Sequence, residues 1–225
     1  MILELPILLI LAYTLGSIPF GVLIARANGV DIMKVGSGNI GATNVMRVLG
    51  KGPAFLVFFL DTLKGAIPAI AARYLFPDQQ EFWLLAGAMA VLGHSFSPFL
   101  KFKGGKGIAT ALGMVIGASP IIAVSAFLLF AVTLAITRFM SIASMVAVVS
   151  TIPVGLLLKE SYWMIAGYVV LSSLIIWRHR ANIERLRNGV EPKFSFKKTV
   201  KPPEEAPAHE LDMTEQKEVE PTDAP

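Results

Sequence analysis

Apolar residues in this chain come in long unbroken runs, not at the alternating or three-and-four spacings of half-buried strands and surface helices. Runs long enough to cross a bilayer need roughly 20 residues at about 1.5 Å each. Such runs occupy about residues 5–25, 53–74, 82–99, 139–158 and 161–177. Between Gly107 and Thr137 lies a further run of 31 residues without a charge. As one helix it would extend about 46 Å, against a hydrocarbon core of about 30 Å. Gly117, Ser119 and Pro120 fall near its middle, and proline breaks or kinks a helix. The run is either one tilted span or two short spans meeting near Ala118–Pro120.

Composition agrees with a membrane chain. Of 225 residues, 54% are apolar and only 16% charged, where a soluble domain carries about 25% charged residues. With no cysteine there can be no disulfide or thiolate chemistry. Three histidines with no His/Cys cluster give no metal site and no cofactor to expect. The N-terminal Met1-Ile-Leu-Glu4 lacks a positive n-region, so the first run reads as a transmembrane helix and not as a signal peptide.

Charge changes the picture further, because the net +4 hides two opposite parts. Residues 202–225 hold eight acids, five prolines and a single base, Lys217. So little apolar surface cannot offset ordering entropy. The expected organisation is a transmembrane domain over 1–200 and a disordered, acidic, Pro-rich cytoplasmic tail over 201–225. Residues 1–201 then carry 19 Lys+Arg against 8 Asp+Glu. If the 107–137 run is two spans, there are seven in all. Sixteen bases then fall on one side: Arg26, Lys34, Arg47, Lys51, Lys101, Lys103, Lys106, Arg138 and eight between Arg178 and Lys201. Arg73 and Lys159 are left on the other. Cytoplasmic loops are enriched in Lys and Arg, which favours an all-α polytopic protein of seven transmembrane helices, some short or broken. Its N-terminus would be outside and its active-site loops cytoplasmic.

Three segments on the basic side carry candidate chemistry. Residues 35–47 read Val-Gly-Ser-Gly-Asn-Ile-Gly-Ala-Thr-Asn-Val-Met-Arg. Glycines let backbone N–H groups turn toward an anion. Ser37, Asn39, Thr43 and Asn44 offer neutral hydrogen bonds, and Arg47 offers a fork suited to phosphate. A turn-rich connector without ligand would look similar. The second segment ends in Lys103-Gly-Gly-Lys-Gly107 and opens the next helix, where loop amides and a helix N-terminus both favour an anion. It lacks Walker A spacing, and its lysines also serve as topology markers. The third, from Trp177 to Glu191, sets His179 and Asn182 among arginines that would also suit interfacial anchoring. Inside a predicted span, Asp61 and Lys64 are spaced for a structural ion pair.

Taken together these segments resemble the PlsY family of membrane glycerol-3-phosphate acyltransferases. The matching stretches are Gly16-Ser-Ile-Pro-Phe-Gly21, Gly36–Arg47, Asp61-Thr-Leu-Lys-Gly65, Phe102–Gly107 and His179…Asn182-Ile…Arg185-Leu…Gly189…Glu191. One departure is Ser97-Pro98, where the family usually has proline one position earlier. The resemblance implies a multi-pass enzyme of the bacterial inner membrane, N-terminus periplasmic and C-terminus cytoplasmic. It would move an acyl group from acyl-phosphate to the 1-hydroxyl of glycerol 3-phosphate, giving lysophosphatidic acid for phospholipid synthesis. It further implies catalytic roles for Ser37, Arg47, His179 and Asn182. Substrate contacts would come from Gly38, Asn39, Asn44, Gly104, Gly105, Lys106, Gly107 and Ser141, with Asp61, Lys64 and Glu191 structural. Membrane lipids are expected partners, nucleic acid is not, and the protein is expected to be monomeric. The alternative from another class is a transporter of a phosphorylated metabolite or lipid. Transporters, however, often show repeated halves and midplane sites, and no internal repeat is present here.

Overall fold

The computed structural model describes residues 3–200, so the expected acidic tail lies outside the described residues. Regular structure among the described residues is entirely helical. The first apolar run, expected as one helix, is two: α1 (Glu4–Ser17) and α2 (Phe20–Ala27). The break falls at Ile18-Pro19, because proline excludes the preceding residue from helical geometry and cannot donate to the ladder. Then follow α3 (Ala42–Leu49), α4 (Lys51–Leu75), α5 (Gln80–Ser95) and a single 3-10 turn at Pro98–Leu100. The rest are α6 (Ile108–Ala118), α7 (Pro120–Thr137), α8 (Met140–Leu157), α9 (Tyr162–Arg178) and α10 (Arg180–Arg187). Among the described residues, five segments are long and apolar enough to cross a membrane: Glu4–Ala27, Lys51–Leu75, Gln80–Leu100, Pro120–Thr137 and Met140–Leu157. Ile108–Ala118 and Tyr162–Arg178 are apolar but shorter.

The 107–137 run divides at Ser119, and the chain reverses there. Ile108, at the start of α6, and Phe130, well along α7, line the same cavities. At the turn itself Ser119 Oγ donates to Glu160 Oε1 at 2.6 Å, joining it to the α8–α9 connector.

Close packing of small residues holds the bundle together. Lipid tails are as apolar as leucine, so helices in a membrane gain from near approach of their backbones. A Cβ at Gly65 would land on the Thr110 carbonyl, and one at Gly113 on the Thr62 carbonyl, so α4 and α6 touch backbone to backbone. The larger core gathers Ala86, Val91, Met114, Ile122, Tyr168 and Ile175. Large apolar side chains such as Ile10, Phe59, Val124 and Ile136 face outward, as a lipid-facing surface requires.

A second core of Val22, Ile32, Val35, Ile40, Val45, Val48 and Val57 seats the long first loop against α2 and α4. That loop is therefore a packed unit with its own helix α3, not an open connector.

Candidate active site

The basic segments converge on one cavity of about 350 Å³ at one end of the bundle. Ser37, Asn39, Thr43, Asn44, Arg47, Lys106, Gly107, Ser141, His179, Asn182 and Glu191 all line it. Most residues expected at a site are thus brought together. Gly38, Gly104 and Gly105 do not line the cavity.

The first loop owes its shape to Asn44, which is buried. Its Oδ1 accepts from Ser37 N–H at 2.9 Å, and its Nδ2 donates to Val35 O at 3.0 Å and Ile32 O at 3.3 Å. Both amide donors are engaged within the loop, so the side chain expected to touch substrate is a staple for its own loop. Gly36 and Gly38 hold φ of +65° and +67°, a conformation costly for other residues. Asn39 Oδ1 accepts from Gly41 N–H at 2.9 Å. Arg47 comes from the last turn of α3, and its guanidinium makes no hydrogen bond or ion pair among the described residues. Burial lowers its pKa; Glu191 raises it and Arg185 lowers it again. Arginine stays charged regardless.

The lysine loop is clamped from two sides. Gly105 N–H donates to His94 O at 3.0 Å, while Arg178 donates to Gly105 O at 3.0 Å and also to Gly104 O. A Cβ at Gly104 would collide with the His94 carbonyl, and one at Gly105 with the His94 ring. Those two positions can only be glycine if the loop is to lie against the end of α5. Lys106 then points inward and donates to Asn182 Oδ1. Burial, with Arg185, Arg47 and Arg178 nearby, lowers its pKa to about 8 against the pull of Glu191.

The third segment does not continue as one helix. At His179 the backbone leaves helical geometry, and α10 starts immediately after. His179 Nδ1 lies 2.8 Å from Ile175 O; a carbonyl only accepts, so Nδ1 carries the proton and Nε2 is left with its lone pair. Burial and the Lys106 charge lower this imidazole to about 4, so it is neutral at pH 7. Glu191, expected as a brace, is a hub. Its Oε1 accepts from Ser141 Oγ at 2.8 Å and Asn182 Nδ2 at 2.7 Å, and its Oε2 from Arg185 Nε at 2.7 Å. Burial alone would raise the Glu191 carboxyl, but these hydrogen bonds outweigh it and hold the pKa below the usual range. Ser141, expected at the substrate, gives its proton to this hub.

Asp61 and Lys64 form the expected ion pair, at 2.8 Å with side chains 3% and 1% exposed. Lys64 also donates to Ile18 O at 3.0 Å, in the gap between α1 and α2.

Several lining residues escaped sequence reasoning. His94 stands with Nδ1 3.7 Å from Asp61 Oδ1, and both line the cavity. Arg185 lies one helical turn past Asn182, a spacing that could have flagged it. Phe194 and Phe196 belong to a C-terminal strap. Phe194 N–H donates to Arg138 O at 2.7 Å, and the N–H groups of Thr199 and Val200 donate to Arg47 O at 2.9 and 3.2 Å. Their apolar alternation in Lys193-Phe-Ser-Phe-Lys197 is the only signal in the sequence.

A second, apolar cavity of about 90 Å³ adjoins the first, and Phe58, Ile108 and Phe130 line both. The arrangement thus presents a cluster of cations, a neutral imidazole with a free lone pair, and an apolar slot leading away from them. It suits a substrate with anionic groups at one end and a hydrocarbon chain at the other.

Comparison with known proteins gives the same picture. Residues 6–189 match the family described as Glycerol-3-phosphate acyltransferase. A protein of that name from Thermus thermophilus is 46% identical over 188 residues, covering 83% of this chain and 93% of the relative. One from Aquifex aeolicus is 46% identical over 195 residues, covering 83% and 97%. Two crystal structures of PlsY, an integral membrane glycerol 3-phosphate acyltransferase, superpose closely. Its glycerol 3-phosphate form has a TM-score of 0.82 at 45% identity, covering 85% of this chain and 96% of the other. Its lysophosphatidic acid form has a TM-score of 0.80 at 44% identity, covering 86% and 96%.

Proposed function

The chain belongs to the glycerol-3-phosphate acyltransferase family, and from that premise we propose how its two cavities divide the work of acyl transfer. The protein is a membrane acyltransferase. Glycerol 3-phosphate and the phosphate of an acyl-phosphate donor occupy the basic cavity, and the donor's acyl chain lies in the apolar slot. The observation that carries this reading is the convergence of Arg47, Lys106 and Arg185 beside His179, at the mouth of an apolar space.

In the proposed reaction the 1-hydroxyl oxygen of glycerol 3-phosphate attacks the acyl carbonyl carbon. A new C–O ester bond forms, the carbonyl-to-phosphate C–O bond breaks, and inorganic phosphate leaves with the electron pair. The products are lysophosphatidic acid and phosphate. Arg47 and Lys106 hold phosphate oxygens and stabilise charge as it develops, which is worth most in a partly dry site. Ser37 orients the acceptor. His179 Nε2 accepts a hydrogen bond from the attacking hydroxyl. An imidazole held at about 4 is a weaker base than a phosphate, whose second ionisation is near 6. The proton therefore ends on the departing phosphate, and His179 directs the hydroxyl. Asn182 positions Lys106, and Glu191 positions Asn182.

The same reading takes the chain as a monomer that crosses the bacterial inner membrane seven times, with α6 and α7 as separate crossings. The basic end faces the cytoplasm. The transport alternative expects polar groups near the midplane, whereas here the cations that line the cavity gather at one end. The test is to supply the purified protein with glycerol 3-phosphate and either acyl-phosphate or an acyl thioester. Lysophosphatidic acid formed from acyl-phosphate is the expected result. Its absence with both donors would defeat the proposal.

A further inference from the structure

The apolar slot has a built end. On α8, Ser144 lines the polar cavity and Thr151 the far part of the slot. On α9, Ile175 is near the mouth and Tyr168 at the far part. Each helix advances seven residues between these positions, or about 10 Å. Two helices running in opposite chain directions therefore agree on the depth. Tyr168, 1% exposed, lines the slot at that depth. It sits over Gly155, where a Cβ would come within 3.2 Å of the ring.

A buried tyrosine needs a partner for its hydroxyl, and this one is tethered. Tyr168 Oη donates to Glu160 Oε2 at 3.2 Å, and Glu160 Oε1 accepts from Ser119 Oγ at 2.6 Å. The tether joins the α6–α7 turn, the α8–α9 connector and α9, all at the end of the bundle away from the basic cavity. None of these three residues lines the basic cavity, so acyl transfer itself gives them no task.

We propose that Tyr168, fixed by Glu160 and Ser119, is the floor of the acyl slot and sets the length of acyl chain the enzyme prefers. The inference rests on the acyltransferase reading above. Each methylene buried against slot wall contributes about fourfold to kcat/KM. The contribution stops when the chain end meets the ring, and the next methylene must either displace a tethered side chain or fold back.

The test is kcat/KM across a series of saturated acyl-phosphates of increasing length. In the wild type the value climbs to a best length and then falls. Tyr168→Ala moves the best length upward. It raises kcat/KM for a chain two carbons beyond the wild-type optimum by about tenfold relative to the optimum itself. Tyr168→Phe keeps the ring but loses the tether, so the optimum stays and the fall beyond it becomes shallower. Ala126→Phe, which narrows the slot from α7, moves the optimum to shorter chains and covers the case in which Tyr168→Ala does not fold. The proposal is overturned if folded Tyr168→Ala keeps a length profile within twofold of the wild type or, where that variant does not fold, if Ala126→Phe does. Absence of transfer by the wild type with every donor would remove the acyltransferase reading and this inference together.

Discussion

Replacing Glu191 with alanine should disable the site although Glu191 is not itself a proposed phosphate ligand. The carboxylate accepts three hydrogen bonds, from Ser141 on α8 and from Asn182 and Arg185 on α10. Hydrogen bonds to a charged acceptor are worth about 1.5–3 kcal/mol each, which would sum to about 4.5–9 kcal/mol, as much as the whole stability of a marginal domain. Removing one partner of a buried charge cluster costs about 3–5 kcal/mol. The smaller figure governs here, because Arg185 is 35% exposed and regains water when its partner goes. At about 2–4 °C per kcal/mol for a chain of this size, the thermal midpoint in detergent should fall by roughly 6–20 °C.

The same variant should lose activity by a second route. Glu191 pulls the Lys106 pKa upward against burial and three arginines. Without it the pKa moves below about 8, and the lysine is partly neutral under assay conditions. Asn182, released from Glu191, no longer fixes the ammonium, and small misplacements of such a group lower rates about 100-fold. Glu191→Gln can still accept from Ser141 and Asn182 but turns an N–H toward Arg185. It should recover part of the thermal loss and little of the activity. A Glu191→Ala protein melting within 2 °C of wild type, with the same rate and pH profile, would refute the reasoning.

Three further outcomes are expected. Activity that needs protonated Lys106 should decline as pH rises through about 8 in kcat/KM, and Lys106→Arg, which stays charged, should remove that decline even if its rate is lower. Gly105→Ala sets a Cβ on the His94 ring and should lower kcat/KM by about 100-fold, while gel filtration still shows a folded protein. His179 titrates at about 4 when folded against an ordinary value near 6.5. The unfolded chain therefore takes up the proton first, and stability falls as pH drops from about 6.5 toward 4, by about 3 kcal/mol. His179→Gln should show a correspondingly shallower loss in thermal melts across that window.

The helices were legible in the sequence because bilayer thickness imposes a length that contiguous apolar runs display directly. Pro120 also announced its break, since it stood in a run too long for one span. Pro19 did not, because residues 5–25 already had the length of a single helix and nothing required an interruption. Structure at the long first loop was hidden for another reason. Helix α3 has eight residues, too few for a periodicity to stand out, and it persists through Val45 and Val48 packing on Val57. At the site, residues in glycine-rich or basic segments were found, since local composition carries a phosphate preference. His94, Phe194 and Phe196 were missed because their place in the cavity comes from tertiary contacts, and Arg185 because four arginines in one segment look alike in sequence. Asn44 and Ser141 show the converse: polar residues beside a site, yet donating to their own scaffold.

The buried charges explain why so basic a cavity is stable before substrate arrives. Arg47, Lys106 and Arg185 repel one another, and burial first, then this repulsion, lowers the Lys106 pKa to about 8. Glu191 is the acid placed among them and is wholly engaged in hydrogen bonds. It therefore offsets part of the repulsion without offering a free carboxylate to repel an incoming phosphate. Lys64, by contrast, is neutralised by Asp61 at 2.8 Å and adds little to the field in the cavity. The remaining positive excess belongs to Arg47 and to the Lys106 loop, which meet the cavity from different elements, α3 and the start of α6. Binding a dianion between them relieves repulsion and joins the two segments, so substrate should raise the thermal midpoint. Inorganic phosphate alone should do the same more weakly, and both effects should shrink with added salt.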